Sequence, residues 1–151
     1  MRLTAYTDYA MRVLMYLALK RDGLATISEI AASYSISKNH LMKVVHQLGV
    51  AGYVETVRGR GGGLRLAKPM EAIGLGEVVR RTEPDMAIVS CFKPIEEPCA
   101  IRPCCVLKNA FGKARDAFLD VLDGYTLKDL VEPRSRLARL LDIREPAPLA
   151  R

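Results

Sequence analysis

The chain has 151 residues, half of them hydrophobic, enough for one core but not for several domains. No apolar run reaches the ~18 residues a membrane-spanning helix needs, so no membrane partner is expected. The net charge of +6 is unevenly placed: residues 1–70 carry ten Lys/Arg against four Asp/Glu, a net of +6, and residues 71–151 carry thirteen of each. An excess confined to one half is the footprint of a polyanion binder, and a solvated basic surface is the plainer alternative.

The N-terminal stretch MRLTAYTDYAMRVLMYLAL is interrupted by Asp8 and Arg12 and has no small-residue cleavage site. It reads as an amphipathic helix over about 7–21 rather than a signal peptide, which places the protein in the cytoplasm. Thr7 is the expected N-cap, Asp8 falls in the first turn, and Gly23 ends the helix. T-I-S-E, Thr26 to Glu29, spells a capping box that opens a second helix through about Tyr34. A turn at Ser35–Ile36 follows, and Ser37 then caps a third helix in which Leu41, Val44, Val45 and Leu48 recur at core spacing. Two short helices, a tight turn and the small Ala31 at their contact predict a helix-turn-helix. An ordinary helical hairpin is the plainer reading, and the basic charge argues against it. Ser37, Lys38, Asn39 and His40 at the start of the third helix, with Lys43 one turn on, suit phosphate and base-edge contacts.

Tyr53–Val57 and Leu64–Ala67 read as two strands joined by RGRGGG. No helix follows this glycine run and no Lys-Ser/Thr ends it, so a P-loop is rejected. A wing whose Arg58 and Arg60 reach the DNA backbone or minor groove fits better. Leu75 to Thr82 form a fourth helix, stopped by Glu83-Pro84, and Met86 to Val89 form a short extended piece. After Pro103, Leu107, Phe111, Ala114, Phe118 and Val121 step at heptad-like spacing up to Gly124. One such helix cannot hide its stripe on a small winged domain, so pairing with its copy in a homodimer is expected; packing on the first helix is the alternative. Thr126–Leu130 adds one more turn. The fold class is therefore mainly α with a small β wing. A winged helix-turn-helix DNA-binding region covers 1–83, a cysteine-rich loop 84–105, and a dimerisation helix with a C-terminal segment 103–142. Residues 143–151 form a disordered tail.

All four cysteines lie in CFKPIEEPCAIRPCC, Cys91 to Cys105, where Pro94, Pro98 and Pro103 prevent regular structure. In a reducing compartment clustered thiols point to metal or redox chemistry rather than structural disulfides. Three uses compete. Zinc sites favour C-x2-4-C knuckles; here the gaps are x7 and x4, and the adjacent Cys104 and Cys105 rarely ligate one metal ion together, which leaves at most three convenient ligands. A thiol–disulfide switch needs only two cysteines, but no C-x-x-C is present. An iron–sulfur cluster tolerates wide spacing, and three thiolates would leave one iron in need of another ligand. A redox enzyme lacks any catalytic constellation: the only histidines, His40 and His46, sit on the helix expected to read DNA.

The segments MRLTAYTDYAMRVLMYLA, SISKNHLMKVVHQLGVAGYV, VRGRGGGLRLAKP, CAIRPCCVLKNAF and LDGYTLKDLV together give the chain a resemblance that reaches to about Leu141. It resembles the iron–sulfur winged-helix transcription regulators that include IscR and RirA, and within them the nitric oxide-sensing repressors. The resemblance implies a cluster, usually [4Fe-4S] with [2Fe-2S] as the alternative, held by three cysteines and an early aspartate of the other subunit. The matching positions are Cys91, Cys99, Cys105 and Asp8. It further implies double-stranded operator DNA as partner, nitric oxide as signal, and derepression of nitric oxide-detoxification genes; an iron- or redox-responsive regulator of the same family is the alternative. Two departures stand out: Cys104 is an extra thiol beside Cys105, open to replacing it as a ligand or to reacting independently, and the Cys91–Cys99 loop is longer than in several relatives.

Overall fold

A computed structural model describes residues 2–20, 23–93 and 99–143. Pro94, Pro98 and the tail beyond Pro146 lie outside these residues. Helix α1 (Ala5–Leu19) runs through the centre and packs against nearly every other element. Its N-cap is Thr4, not Thr7: the Thr4 hydroxyl accepts from the Thr7 amide at 3.2 Å. Thr7 lies one turn inside the helix and is buried. Its hydroxyl donates to the Glu83 carboxylate and to Thr82 Oγ1 at 2.9 Å. The same Glu83 oxygen accepts from Thr4 N at 2.8 Å and Thr4 Oγ1 at 3.0 Å, so a residue 79 positions away selects the cap. Asp8 stays in the first turn. The helix ends at Leu19, before Gly23, and an arginine from the far end of the chain, Arg134, donates to the carbonyls of Ala18 and Leu19 at 2.9 and 2.7 Å.

Helix α2 (Ile27–Tyr34) starts at the expected capping box, with Thr26 N on Glu29 Oε2 at 2.6 Å and Glu29 N on Thr26 Oγ1 at 3.2 Å. Ser35 makes the turn in the left-handed region (φ 54°, ψ 41°). Helix α3 (Lys38–Val50) then buries Leu41, Val44, Val45 and Leu48 against α1 and α2. Ser37 occupies its N-cap position but its side chain makes no capping bond. Strands β1 (Val54–Val57) and β2 (Gly63–Leu66) pair antiparallel with Val54 opposite Leu66 and Val57 opposite Gly63. Ala25 and Leu64 exchange backbone bonds of 3.0 and 2.7 Å and tie the hairpin to the segment before α2. Tyr53 lies fully buried, and its hydroxyl donates to Glu77 Oε1 at 2.8 Å; burial first, then that hydrogen bond, push its phenol well above the ordinary value.

Helix α4 (Leu75–Thr82) buries Val78, Val79 and Thr82. Residues 86–89 form no strand. Two short 3-10 turns, Ser90–Phe92 and Arg102–Cys104, frame the cysteine loop, and α5 (Val106–Asp123) follows Cys105. Helix α6 (Leu127–Leu130) carries a second capping box, Thr126 with Asp129, and α7 (Arg134–Leu140) follows. Leu127, Val131, Ala138 and Ile143 join the same core as α1, α2 and α3. The C-terminal segment therefore returns to the N-terminal region, and Ile143, assigned by sequence to the tail, is buried. Helix α5 behaves differently. None of its side chains is buried, and its main packing partner is α4 rather than α1.

Candidate DNA interface and cysteine loop

The buried positions of α3 define the opposite face by helical geometry. Asn39, Met42, Lys43 and His46 fall at i, i+3, i+4 and i+7 on that face, and all four are exposed. Ser37 and Lys38 are exposed at its N-terminal end, where free backbone amides and the helix dipole favour a phosphate. His40 is exposed as well but leans on α1: its ring stacks on Tyr9 with centroids 6.3 Å apart and planes at 24°. Met42 and His46 are absent from the set read off the sequence, which favoured the helix start; their i+3 and i+7 positions relative to Asn39 are the signal that would have found them.

The hairpin tip holds Arg58 and Arg60, both exposed, between glycines in the left-handed region (Gly59 φ 108°, Gly61 φ 77°). Only glycine takes these angles freely, so the tip folds back without a bulky turn residue. Arg65 on β2 is neutralised by Glu55 across the strands at 2.9 Å. Arg58, Arg60, Lys38 and Lys43 form no ion pair among the described residues. Their charge is therefore not offset by a carboxylate among the described residues.

The four cysteines are free thiols. Cys105 is the N-cap of α5, its sulfur accepting from Lys108 N at 3.3 Å. Cys91 lines a cleft of about 480 Å³ with Lys108, Asn109, Gly112 and Lys113 of the same helix. Phe92 docks there under the Arg115 guanidinium, 5.1 Å from its ring centroid. Cys105 thus caps α5, and Cys91 shares a cleft with the same helix. Cys99 and Cys104 are exposed, and Cys104 Sγ lies 3.6 Å from Ile101 O. Asp8 sits on α1, half exposed, with Arg12 Nε at 2.9 Å. Arg12 in turn lies over the Tyr34 ring at 5.6 Å, and burial pushes the Tyr34 phenol up to about 12.

The donor chemistry fits an iron–sulfur group: free thiols in one loop and an accessible carboxylate held only by a surface ion pair. Within one chain no three His, Cys, Asp or Glu side chains converge among the described residues.

A reading helix in a helix-turn-helix, a cationic two-stranded wing and no catalytic constellation among the described residues define a winged-helix DNA-binding regulator. Comparison with known proteins narrows the class. Residues 3–133 match the Rrf2 family, described as iron-dependent transcriptional regulator. The chain belongs to this family and is a transcriptional regulator, not an enzyme. It is 54% identical over 146 residues to the HTH-type transcriptional regulator NsrR of Bacillus subtilis (strain 168), covering 96% of this chain and 100% of that one. It is 53% identical over 142 residues to NsrR of Bacillus licheniformis, covering 93% and 99%. Among solved structures, oxidised Staphylococcus aureus CymR superimposes with a TM-score of 0.69 at 33% identity, covering 87% of this chain and 97% of that one. IscR of T. potens shares the fold at 23% identity and a TM-score of 0.71, covering 91% and 90%.

Proposed function

We propose that the protein is a homodimeric, cytoplasmic repressor that holds operator DNA until nitric oxide acts on an iron–sulfur cluster at the cysteine loop. The observation that carries the reading is α5. This 18-residue helix starts at Cys105, buries none of its side chains, and ends against the reading head. Val106 is 78% exposed, and Leu107 and Val121 are exposed with it. A second copy laid along the Leu107, Phe111, Ala114, Phe118 and Val121 seam would cover this face and set two reading heads at a fixed separation.

In the DNA complex, Ser37, Lys38, Asn39, Lys43 and the outward Met42 and His46 face the major groove. His40 meets the DNA at the edge of α3 while steadied by Tyr9. Arg58 and Arg60 take the adjacent backbone or minor groove. Cys91, Cys99 and Cys105 would hold the cluster, most simply [4Fe-4S], with Asp8 from the other subunit. Cys104 stays outside the ligand set as an additional thiol. Asp8 is available because its exposed pair with Arg12 contributes at most about 1 kcal/mol. When bound, the cluster supplies iron open to nitric oxide, and a hard carboxylate is a weaker ligand for that iron than soft thiolate. Loss of Asp8 as a ligand would remove the tie between chains and let the half-sites drift out of register.

Anaerobic isolation tests the reading. The expected protein is brown, dimeric in sedimentation, and loses both visible absorbance and operator affinity on addition of nitric oxide. Asp8→Ala weakens the cluster or its response while Cys104→Ser leaves both intact. A colourless zinc protein, or a brown one whose DNA binding ignores nitric oxide, overturns the proposal.

A further inference from the structure

Where α5 joins the reading head, the chain is fastened with unusual density. Arg80 of α4 and Asp123, the last residue of α5, form two parallel bonds, Nη1–Oδ1 at 2.5 Å and Nη2–Oδ2 at 2.6 Å. Gly76, one turn before Arg80, lies directly beneath the pair. A Cβ there would stand 1.9 Å from Asp123 Oδ1 and 2.9 Å from Arg80 Nη1, so α4 leaves out a side chain where the pair sits. Immediately beyond, Leu75 N donates to Tyr125 O at 2.8 Å and Leu127 N to Ile73 O at 2.8 Å. The Arg80 guanidinium also holds the Asp123 carboxyl below the usual carboxylate range.

An exposed ion pair adds little to stability. A two-pronged Arg–carboxylate pair does fix direction, because both planar groups must align. Direction matters here because α5 is a lever about 27 Å long at 1.5 Å per residue. None of its side chains is fully buried, and it meets the head mainly through α4. A small rotation at Asp123 becomes a large displacement at the other end.

We infer that the Arg80–Asp123 pair, seated on Gly76, is the angular joint that sets the half-site spacing this regulator accepts. Arg80, Asp123 and Gly76 are positioning residues: they touch no DNA and act through the orientation of α5. The inference rests on the homodimer proposed above.

The test uses an operator duplex selected in vitro from a random library by the full-length protein, its variants with one base pair added or removed at the centre, and a single half-site. One base pair turns the half-sites by about 35° relative to each other and moves them about 3.4 Å. Wild type should lose roughly tenfold or more in affinity on either change, whereas Asp123→Asn should lose less than about threefold. Sedimentation of Asp123→Asn should still give the dimer, and its affinity for the single half-site should equal wild type. Arg80→Glu combined with Asp123→Arg should restore discrimination. A dimeric Asp123→Asn that discriminates like wild type overturns the inference and leaves the homodimer standing. Equal loss on the single half-site also overturns it, because the pair would then act inside one head. A monomeric wild type removes the homodimer and the joint together.

Discussion

Thr7→Val asks whether the polar clasp between α1 and α4 holds the fold as the geometry indicates. The change keeps the side chain's shape and removes its hydroxyl. Thr7 is 1% exposed, and its hydroxyl touches the Glu83 carboxylate and lies 2.9 Å from Thr82 Oγ1. A hydrogen bond to a charged acceptor contributes ~1.5–3 kcal/mol. The neighbours keep other partners: Glu83 retains Thr4 N at 2.8 Å and Thr4 Oγ1 at 3.0 Å, and Thr82 still donates to Val78 O at 2.8 Å. With nothing fully orphaned, the loss falls toward the lower end, about 2 kcal/mol. For a chain of this length that lowers Tm by about 4–8 °C. Thr7→Ser keeps the hydroxyl and loses one buried methyl, a loss of about 1 kcal/mol. Thermal unfolding followed by circular dichroism, at one protein concentration, should rank wild type above Ser and Ser above Val. A Val variant as stable as wild type, or a Ser variant below Val, would refute the account of the clasp.

Lys38→Ala and Arg60→Ala should each lower operator affinity and reduce the slope of log affinity against log salt by about one if each meets a phosphate; titrations at several salt concentrations read this, and unaltered slopes move the contact elsewhere. Ser35→Gly should leave stability unchanged or raise it by up to ~1 kcal/mol, because Ser35 sits at φ 54°, while Ser35→Val should lower it by about 1–2 kcal/mol in urea unfolding. The Tyr34 phenol, raised from 10.0 to about 12, favours the folded state fully below pH 10 and loses that contribution as pH rises through 12. Tyr34→Phe should therefore be less sensitive to alkali than wild type over that window, and identical alkaline unfolding curves would show that Tyr34 does not govern it.

What the sequence disclosed followed the range of the interaction responsible. The α2 capping box was legible because donor and acceptor lie three residues apart. The core stripe of α3 was legible because its period is written in four apolar residues. The start of α1 was misplaced by three residues because two threonines compete locally and the distant Glu83 decides between them. The outward face of α3 was read too narrowly: Met42 and His46 follow from helical spacing, whereas the stack of His40 on Tyr9 depends on how α1 crosses α3. The alternation of Arg and Leu after Pro133 obscured α7, whose Ala138 and neighbouring Ile143 are buried only because α1 and α2 lie above them. The cysteine loop was legible as a concentration of thiols; the placement of Cys91 and Cys105 at the head of α5 was not.

Arg134 closes the carbonyl end of α1 from a position 115 residues further along the chain. Of the described helices, α1 leaves the ribosome before all others and α7 after them. The core residues of α6 and α7 arrive late as well. A fragment that stops after the wing has a reading helix in its sequence but lacks part of the floor beneath α1. A chain cut short after the wing should therefore compete more weakly for the same DNA than one that carries α6 and α7.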